Sequence, residues 1–122
     1  LVKCLPAAIR DGRGIVRYAA ITLPMDEALI LAAVDVSGRG YLSAELKLAS
    51  PAVGSFDTEL TEEFLRAFAV NAGITLHIRQ LSGSNTHHII EGVFKALGRV
   101  LRAALRIDPE FSDVIPSSKG VL

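Results

Sequence analysis

The stretch Ile74-Thr75-Leu76-His77-Ile78-Arg79-Gln80-Leu81, followed by Ser82-Gly83-Ser84-Asn85 and Thr86-His87-His88-Ile89-Ile90-Glu91-Gly92-Val93-Phe94, decides the fold. Its hydrophobic period changes from two to about 3.6 across four small polar residues. Ile74, Leu76 and Ile78 fall on one face of an extended segment, and Thr75, His77 and Arg79 on the other. This alternation predicts a half-buried strand over residues 74–81. Beyond the turn, Ile90, Val93, Phe94, Leu97, Leu101, Ala104 and Leu105 recur at helical spacing. They predict a long helix over residues 86–107 with that set as its core stripe, ended by Asp108-Pro109.

Moving upstream, Asn71-Ala72-Gly73 is a helix stop, because glycine takes the left-handed cap without steric cost. The helix it ends starts at a cap on Asp57 or Thr58. Glu59, Glu62 and Glu63 lie near its positive end, and Leu60, Phe64, Ala67 and Phe68 form its expected apolar stripe. Residues 50–55 read as a loop. Residues 15–23, 28–36 and 41–48 are rich in β-branched, aromatic and aliphatic side chains and read as strands. Pro24 is expected to end the first, since it has no N–H for a ladder. Ser37-Gly38-Arg39-Gly40 is expected to be a hairpin turn between the second and third. Residues 1–13 form a poorly patterned lead-in with a turn signal at Asp11-Gly12-Arg13-Gly14. Three strands, a helix, a strand and a helix predict an α+β domain, with helices on one face of a mostly antiparallel sheet.

The 122 residues suit a single domain, and their 50% hydrophobic and 21% charged content excludes a disordered chain. Thirteen basic and thirteen acidic residues cancel, so no nucleic-acid partner is expected. The single Cys4 permits no internal disulfide and fits a reducing compartment. The longest apolar run, residues 28–34, falls far short of the ~20 residues a membrane helix needs. No membrane contact is therefore expected. The opening Leu1-Val2-Lys3-Cys4-Leu5-Pro6 lacks an initiator Met and a long apolar core, so no secretory signal is expected and a fragment or processed chain is.

The chemistry concentrates in Asn85-Thr86-His87-His88-Ile89-Ile90-Glu91. On a helix, His87 and His88 lie four and three residues before Glu91, so all three share one rim. Two imidazoles and a carboxylate suit a borderline divalent ion, and Lys95 one turn on could meet an anion beside it. The order differs from the His-Glu-x-x-His of zinc peptidases. An exposed polar helix end accounts for the same residues. Glu63 is a candidate fourth ligand or an ordinary first-turn acid. His77 reads as a hydrogen-bonded sheet residue. Arg17 and Arg39 are either phosphate-binding forks or surface ion-pair partners, and Ser117-Ser118-Lys119-Gly120 either suits phosphate or is a frayed end. Cys4 has no neighbouring base and takes no catalytic role.

Asn85-Thr86-His87-His88-Ile89-Ile90-Glu91 followed by Phe94-Lys95-Ala96 resembles the second metal motif of the imidazoleglycerol-phosphate dehydratase family. The resemblance continues, in order, through Pro24-Met25-Asp26-Glu27-Ala28, Asp35-Val36-Ser37-Gly38-Arg39, Phe56-Asp57-Thr58-Glu59-Leu60, Thr75-Leu76-His77-Ile78 and Ile115-Pro116-Ser117-Ser118-Lys119-Gly120-Val121-Leu122. It implies half of a duplicated ribosomal-protein-S5-domain-2-like architecture. It also implies a carbon–oxygen hydro-lyase of histidine biosynthesis that converts D-erythro-imidazoleglycerol phosphate to imidazole acetol phosphate with two manganese ions.

By matching position, the resemblance makes His87, His88, Glu91 and Glu63 metal ligands; some members carry His at the place of Glu63. It makes Arg17, Arg39, Lys95, Ser117 and Lys119 phosphate-binding residues. It further implies assembly of twenty-four subunits with sites between them, in the cytoplasm, or in a plastid for a plant protein. A complete member has a preceding half with its own His-His-x-x-Glu, another ligand His and a catalytic Glu. The only histidines here are His77, His87 and His88, so this chain by itself is expected to be inactive. Two other functions are kept open: a non-catalytic, self-associating metal-binding half-domain, and a small metal-dependent hydrolase built on His87, His88 and Glu91.

Overall fold

The computed structural model describes residues 14–107. Its elements are β1 (Tyr18–Met25), β2 (Ala28–Asp35), β3 (Tyr41–Glu45), β4 (Ala52–Val53), β5 (Phe56–Asp57), α1 (Glu59–Ala72), β6 (Thr75–Ser82) and α2 (Thr86–Leu105). β4 and β5 form a separate small hairpin, where the sequence suggests only a loop. The main sheet has the order β1-β2-β6-β3. β1 and β2, and β2 and β6, pair antiparallel, while β3 runs parallel to β6. The α+β expectation therefore holds with a mixed sheet.

Alternation in the strands sorts the two faces. Leu42, Leu76, Val34 and Ala19 lie in one cross-strand row, and Ala44, Ile78, Ala32 and Ile21 in another. These rows meet both helices in one core with Leu65, Phe68, Ile89, Val93 and Val100. α2 lies across β1 and β2, and α1 across β3. Two glycines allow this close approach. A Cβ on Gly92 would stand 2.9 Å from Ile30 Cγ1, and one on Gly40 would stand 2.5 Å from the Val70 backbone.

Several sequence expectations require correction. Ser37–Gly40 is not a hairpin, because β6 separates β2 from β3. The Gly38 N–H instead bonds the Gly73 carbonyl at 2.8 Å, just where left-handed Gly73 ends α1. Pro24 does not end β1, which continues to Met25; β1 is an edge strand, where a missing N–H is tolerated. Residues 15–17 precede the strand, since Arg17 adopts a positive φ of 76°. β3 stops at Glu45 rather than running to residue 48.

Both helices are also rotated from their expected stripes. α1 buries Thr61, Leu65, Phe68, Ala69 and Ala72, leaving Leu60, Phe64 and Ala67 outward. α2 buries Ile89, Val93, Ala96, Leu97, Val100 and Ala104, leaving Ile90, Phe94, Leu101 and Leu105 half-exposed. The apolar arc of each helix is wider than one sheet can cover, so spacing alone could not choose its inner edge.

Candidate metal centre

The histidine pair sits on the first turn of α2 because of what holds that turn. Asn85 caps the helix, its side chain accepting the His88 backbone N–H at 3.0 Å. Glu27, in the β1–β2 turn, faces the same helix start. Its Oε2 accepts the backbone N–H groups of Ser84 and Asn85 at 2.9 and 2.8 Å, and its Oε1 lies 2.6 Å from His88 Nδ1. The Asn85 N–H, the His88 ring and the Ser84 N–H together lower the Glu27 pKa to about 2. The same contact with Glu27, above all, raises the pKa of His88.

His87 points elsewhere. Its Nε2 lies 3.1 Å from Glu91 Oε1, and Lys95 Nζ lies 3.0 Å from Glu91 Oε2. Lys95 chiefly, with His87, keeps the Glu91 carboxyl below its ordinary range. The structure thus joins His87, Glu91 and Lys95 into one line along the helix. His88 stands beside them, its ring 6.2 Å from that of His87. Asp26 Oδ2 comes within 3.4 Å of His88 Nε2, although neither Asp26 nor Glu27 has a site role in the sequence reading. Their part is invisible locally, since Glu27 and His88 are 61 positions apart in the chain.

The remaining candidates stand apart. Glu63 is exposed on the early part of α1, in a groove with Leu46, Leu48, Thr58, Glu59, Glu62 and Arg66. Among the described residues, no three His, Cys, Asp or Glu side chains converge on one point. Arg17 is buried and its guanidinium holds Asp35 through contacts of 2.7 and 3.4 Å, stacking 4.7 Å from the Tyr18 ring. That hydrogen bond raises the Arg17 pKa. Arg39 is exposed, its backbone N–H held by Ser37 Oγ at 3.1 Å. His77 is a half-buried sheet residue, as expected, on β6 opposite Ala33 and Ser43; its ring meets Tyr41 at 5.9 Å and forms no hydrogen bond among the described residues. Ser117, Lys119, Cys4 and the lead-in 1–13 lie outside the described residues.

The two groups of candidates occupy opposite ends of the sheet. Glu27, His88 and Glu91 lie at the Ala28 end of β2, and Arg17 and Arg39 at its Asp35 end. Seven strand steps separate them, roughly 24 Å.

Residues 1–101 match the family model for imidazoleglycerol-phosphate dehydratase. The chain belongs to this family. The imidazoleglycerol-phosphate dehydratase of Desulforamulus reducens is 58% identical over the whole chain, which covers 62% of that relative. The Brucella suis relative of the same name is 54% identical over the whole chain, which covers 60% of it. The crystal structure of the Staphylococcus aureus imidazoleglycerol-phosphate dehydratase superposes with a TM-score of 0.84 at 48% identity, over 87% of this chain and 62% of that one. The Pyrococcus furiosus dehydratase in complex with (S)-C348 gives 0.82 at 36% identity, over 99% and 67%. The chain therefore spans about three-fifths of the length of the curated dehydratases it matches. No helix among the described residues is long and apolar enough to cross a membrane.

Proposed function

We propose that the chain contributes one half of a dehydratase site acting on imidazoleglycerol phosphate in histidine biosynthesis, with His87, His88 and Glu91 among the ligands of its two manganese ions. The observation that carries the reading is the start of α2, where exposed His87 and half-buried His88 on the first turn share one rim with half-buried Glu91 on the second. Imidazole nitrogens with a carboxylate form a donor set that suits a divalent ion of manganese type. Manganese, when bound there, would supply Lewis acidity toward the substrate's imidazole ring. His87 and His88 supply the neutral nitrogens, and Lys95 offsets the charge on Glu91.

The roughly 24 Å between the α2 start and the two arginines exceeds the reach of one small phosphorylated imidazole. Arg39 and Arg17 therefore serve the phosphate of a site whose metal donors come from another copy, and Glu63 joins the ligand set across the same kind of boundary. Ser117 and Lys119 belong with the phosphate group by sequence. On this reading the domain is one half of a duplicated architecture, and copies assemble into a closed shell.

One observation favours a second reading, a self-associating metal-binding half-domain without catalysis. Leu60 and Phe64 are 47% and 45% exposed, and the Phe64 ring lies 5.4 Å from that of half-exposed Phe94. This apolar strip across both helices suits a protein partner. Turnover of imidazoleglycerol phosphate with manganese when the chain is combined with the preceding half of a family member, abolished by His87→Ala, supports the dehydratase. Metal binding and concentration-dependent mass without turnover in that mixture support the half-domain. Turnover of a phosphate ester instead would point to the hydrolase.

A further inference from the structure

The first turn of α2 holds its two histidines in different ways. His87 is exposed; among the described residues its ion-pair contact is with Glu91, and its ring lies edge-on to that of His88. His88 is half-buried, and a carboxylate from a distant turn grips its ring at 2.6 Å. That carboxylate, Glu27, is itself fixed on three sides. Its Oε2 accepts the two backbone N–H groups leading into the helix, and the backbone carbonyl of Glu27 accepts the Ser82 hydroxyl at 3.1 Å. Asp26 before it has a positive φ of 53°, as the tight β1–β2 turn requires.

A carboxylate can only accept. Two carboxylates face the ring: Glu27 Oε1 lies 2.6 Å from Nδ1 in a hydrogen bond, and Asp26 Oδ2 lies 3.4 Å from Nε2 in an ion-pair contact only. The shorter, hydrogen-bonded contact places the proton of the neutral ring on Nδ1 and leaves the lone pair on Nε2. We propose that Glu27 is a positioning residue: it holds His88 as the Nδ1–H tautomer, with Nε2 as the nitrogen offered to a metal. The inference rests on the metal-binding reading for its purpose, but not for its geometry. Carboxylates behind ligand histidines act in this way elsewhere, raising the donor strength of the far nitrogen and fixing the direction of the ring. Glu27 adds a second duty, since the oxygen beside the one on His88 anchors the loop that begins α2. Ring orientation and helix start are thereby coupled through one side chain.

The substitution Glu27→Gln separates these duties. The two backbone N–H groups demand an acceptor, so the amide oxygen of Gln takes the place of Oε2. Its NH2 group then faces His88 Nδ1 and donates to it, driving the proton to Nε2. The loop stays docked while the coordinating nitrogen is blocked. The probe is nitrogen NMR of the histidine rings in the metal-free chain at about pH 9, well above the ordinary imidazole pKa of about 6.5. The companion measurement is manganese affinity of the same samples.

We expect the Nδ1–H form of His88 in the unmodified chain, the Nε2–H form in Glu27→Gln, and a fall in manganese affinity of about 10–100-fold. Asn85→Ala removes the helix cap without touching the ring contact and is expected to leave the tautomer unchanged. An Nε2–H ring in the unmodified chain overturns the proposal, whatever the variants do. So does an unchanged tautomer in Glu27→Gln, or a tautomer change in Asn85→Ala as large as that in Glu27→Gln. A tautomer switch in a chain that binds no manganese upholds the positioning by Glu27 and sinks the metal reading instead.

Discussion

Asp35→Asn is predicted to destabilise the chain more than removal of its partner Arg17. The Arg17 side chain is only 8% exposed, against 23% for the Asp35 side chain, and the two meet at 2.7 Å. Charge centres about 4 Å apart attract by roughly 4 kcal/mol at an effective dielectric near 20. Asp35→Asn removes that attraction from a guanidinium that water scarcely reaches and that keeps its stacking on Tyr18. One-sided breakage of a fully buried pair costs about 3–5 kcal/mol; the partial exposure of Asp35 reduces this to about 2–3 kcal/mol. Arg17→Met leaves a carboxylate that water can solvate and an apolar chain in the space of the guanidinium stem, so its cost is lower, about 1–2 kcal/mol. Urea unfolding reads both, and with a slope of about 1–3 kcal/mol per molar the Asp35→Asn midpoint should fall by about 1–2 M. An Asp35→Asn midpoint within error of the parent, or a larger loss in Arg17→Met, would refute the reasoning.

Other outcomes follow from packing and charge. Gly40→Ala would set a Cβ 2.5 Å from the Val70 backbone and must lift α1, costing about 2–3 kcal/mol by thermal or urea unfolding. Gly98→Ala meets nothing within 4 Å on α2 and should stabilise by up to about 1 kcal/mol. The lowered Glu27 pKa makes its contribution to docking the α2 start fully present above about pH 4.5, and lost as pH falls through about 2. The raised pKa of His88 acts oppositely, its contribution being full below the ordinary imidazole range and lost as pH rises through the folded value. Protection of the Ser84, Asn85 and His88 amides in the metal-free chain, taken relative to exchange of the unstructured chain at the same pH, should therefore fall at both extremes.

The strand–turn–helix unit was legible because each of its signals is local. Ile74, Leu76 and Ile78 are all fully buried, Asn85 caps α2, and Gly73 ends α1 with left-handed geometry. What was not legible depends on partners distant in sequence. Ser37–Gly40 has the composition of a hairpin turn, yet β6 inserts between β2 and β3 and no local residue announces it. Leu60 and Phe64 look like core by spacing, but α1 turns Leu65 and Ala69 to the sheet because Gly40 lets the helix settle on that side. Of the candidate site, the rim of His87, Glu91 and Lys95 follows directly from helical periodicity. The tie between Glu27 and His88, and the separation of the arginines from both, needed the sheet to be assembled first.

The most direct test of the account is a manganese titration of the metal-free chain, following the free-ion signal by electron paramagnetic resonance. Saturable binding that disappears in His87→Ala and in His88→Ala, and persists in Arg39→Ala, is the predicted result. Binding unchanged when both histidines are replaced, or no saturable binding at all, would contradict the assignment of the α2 start as a metal site.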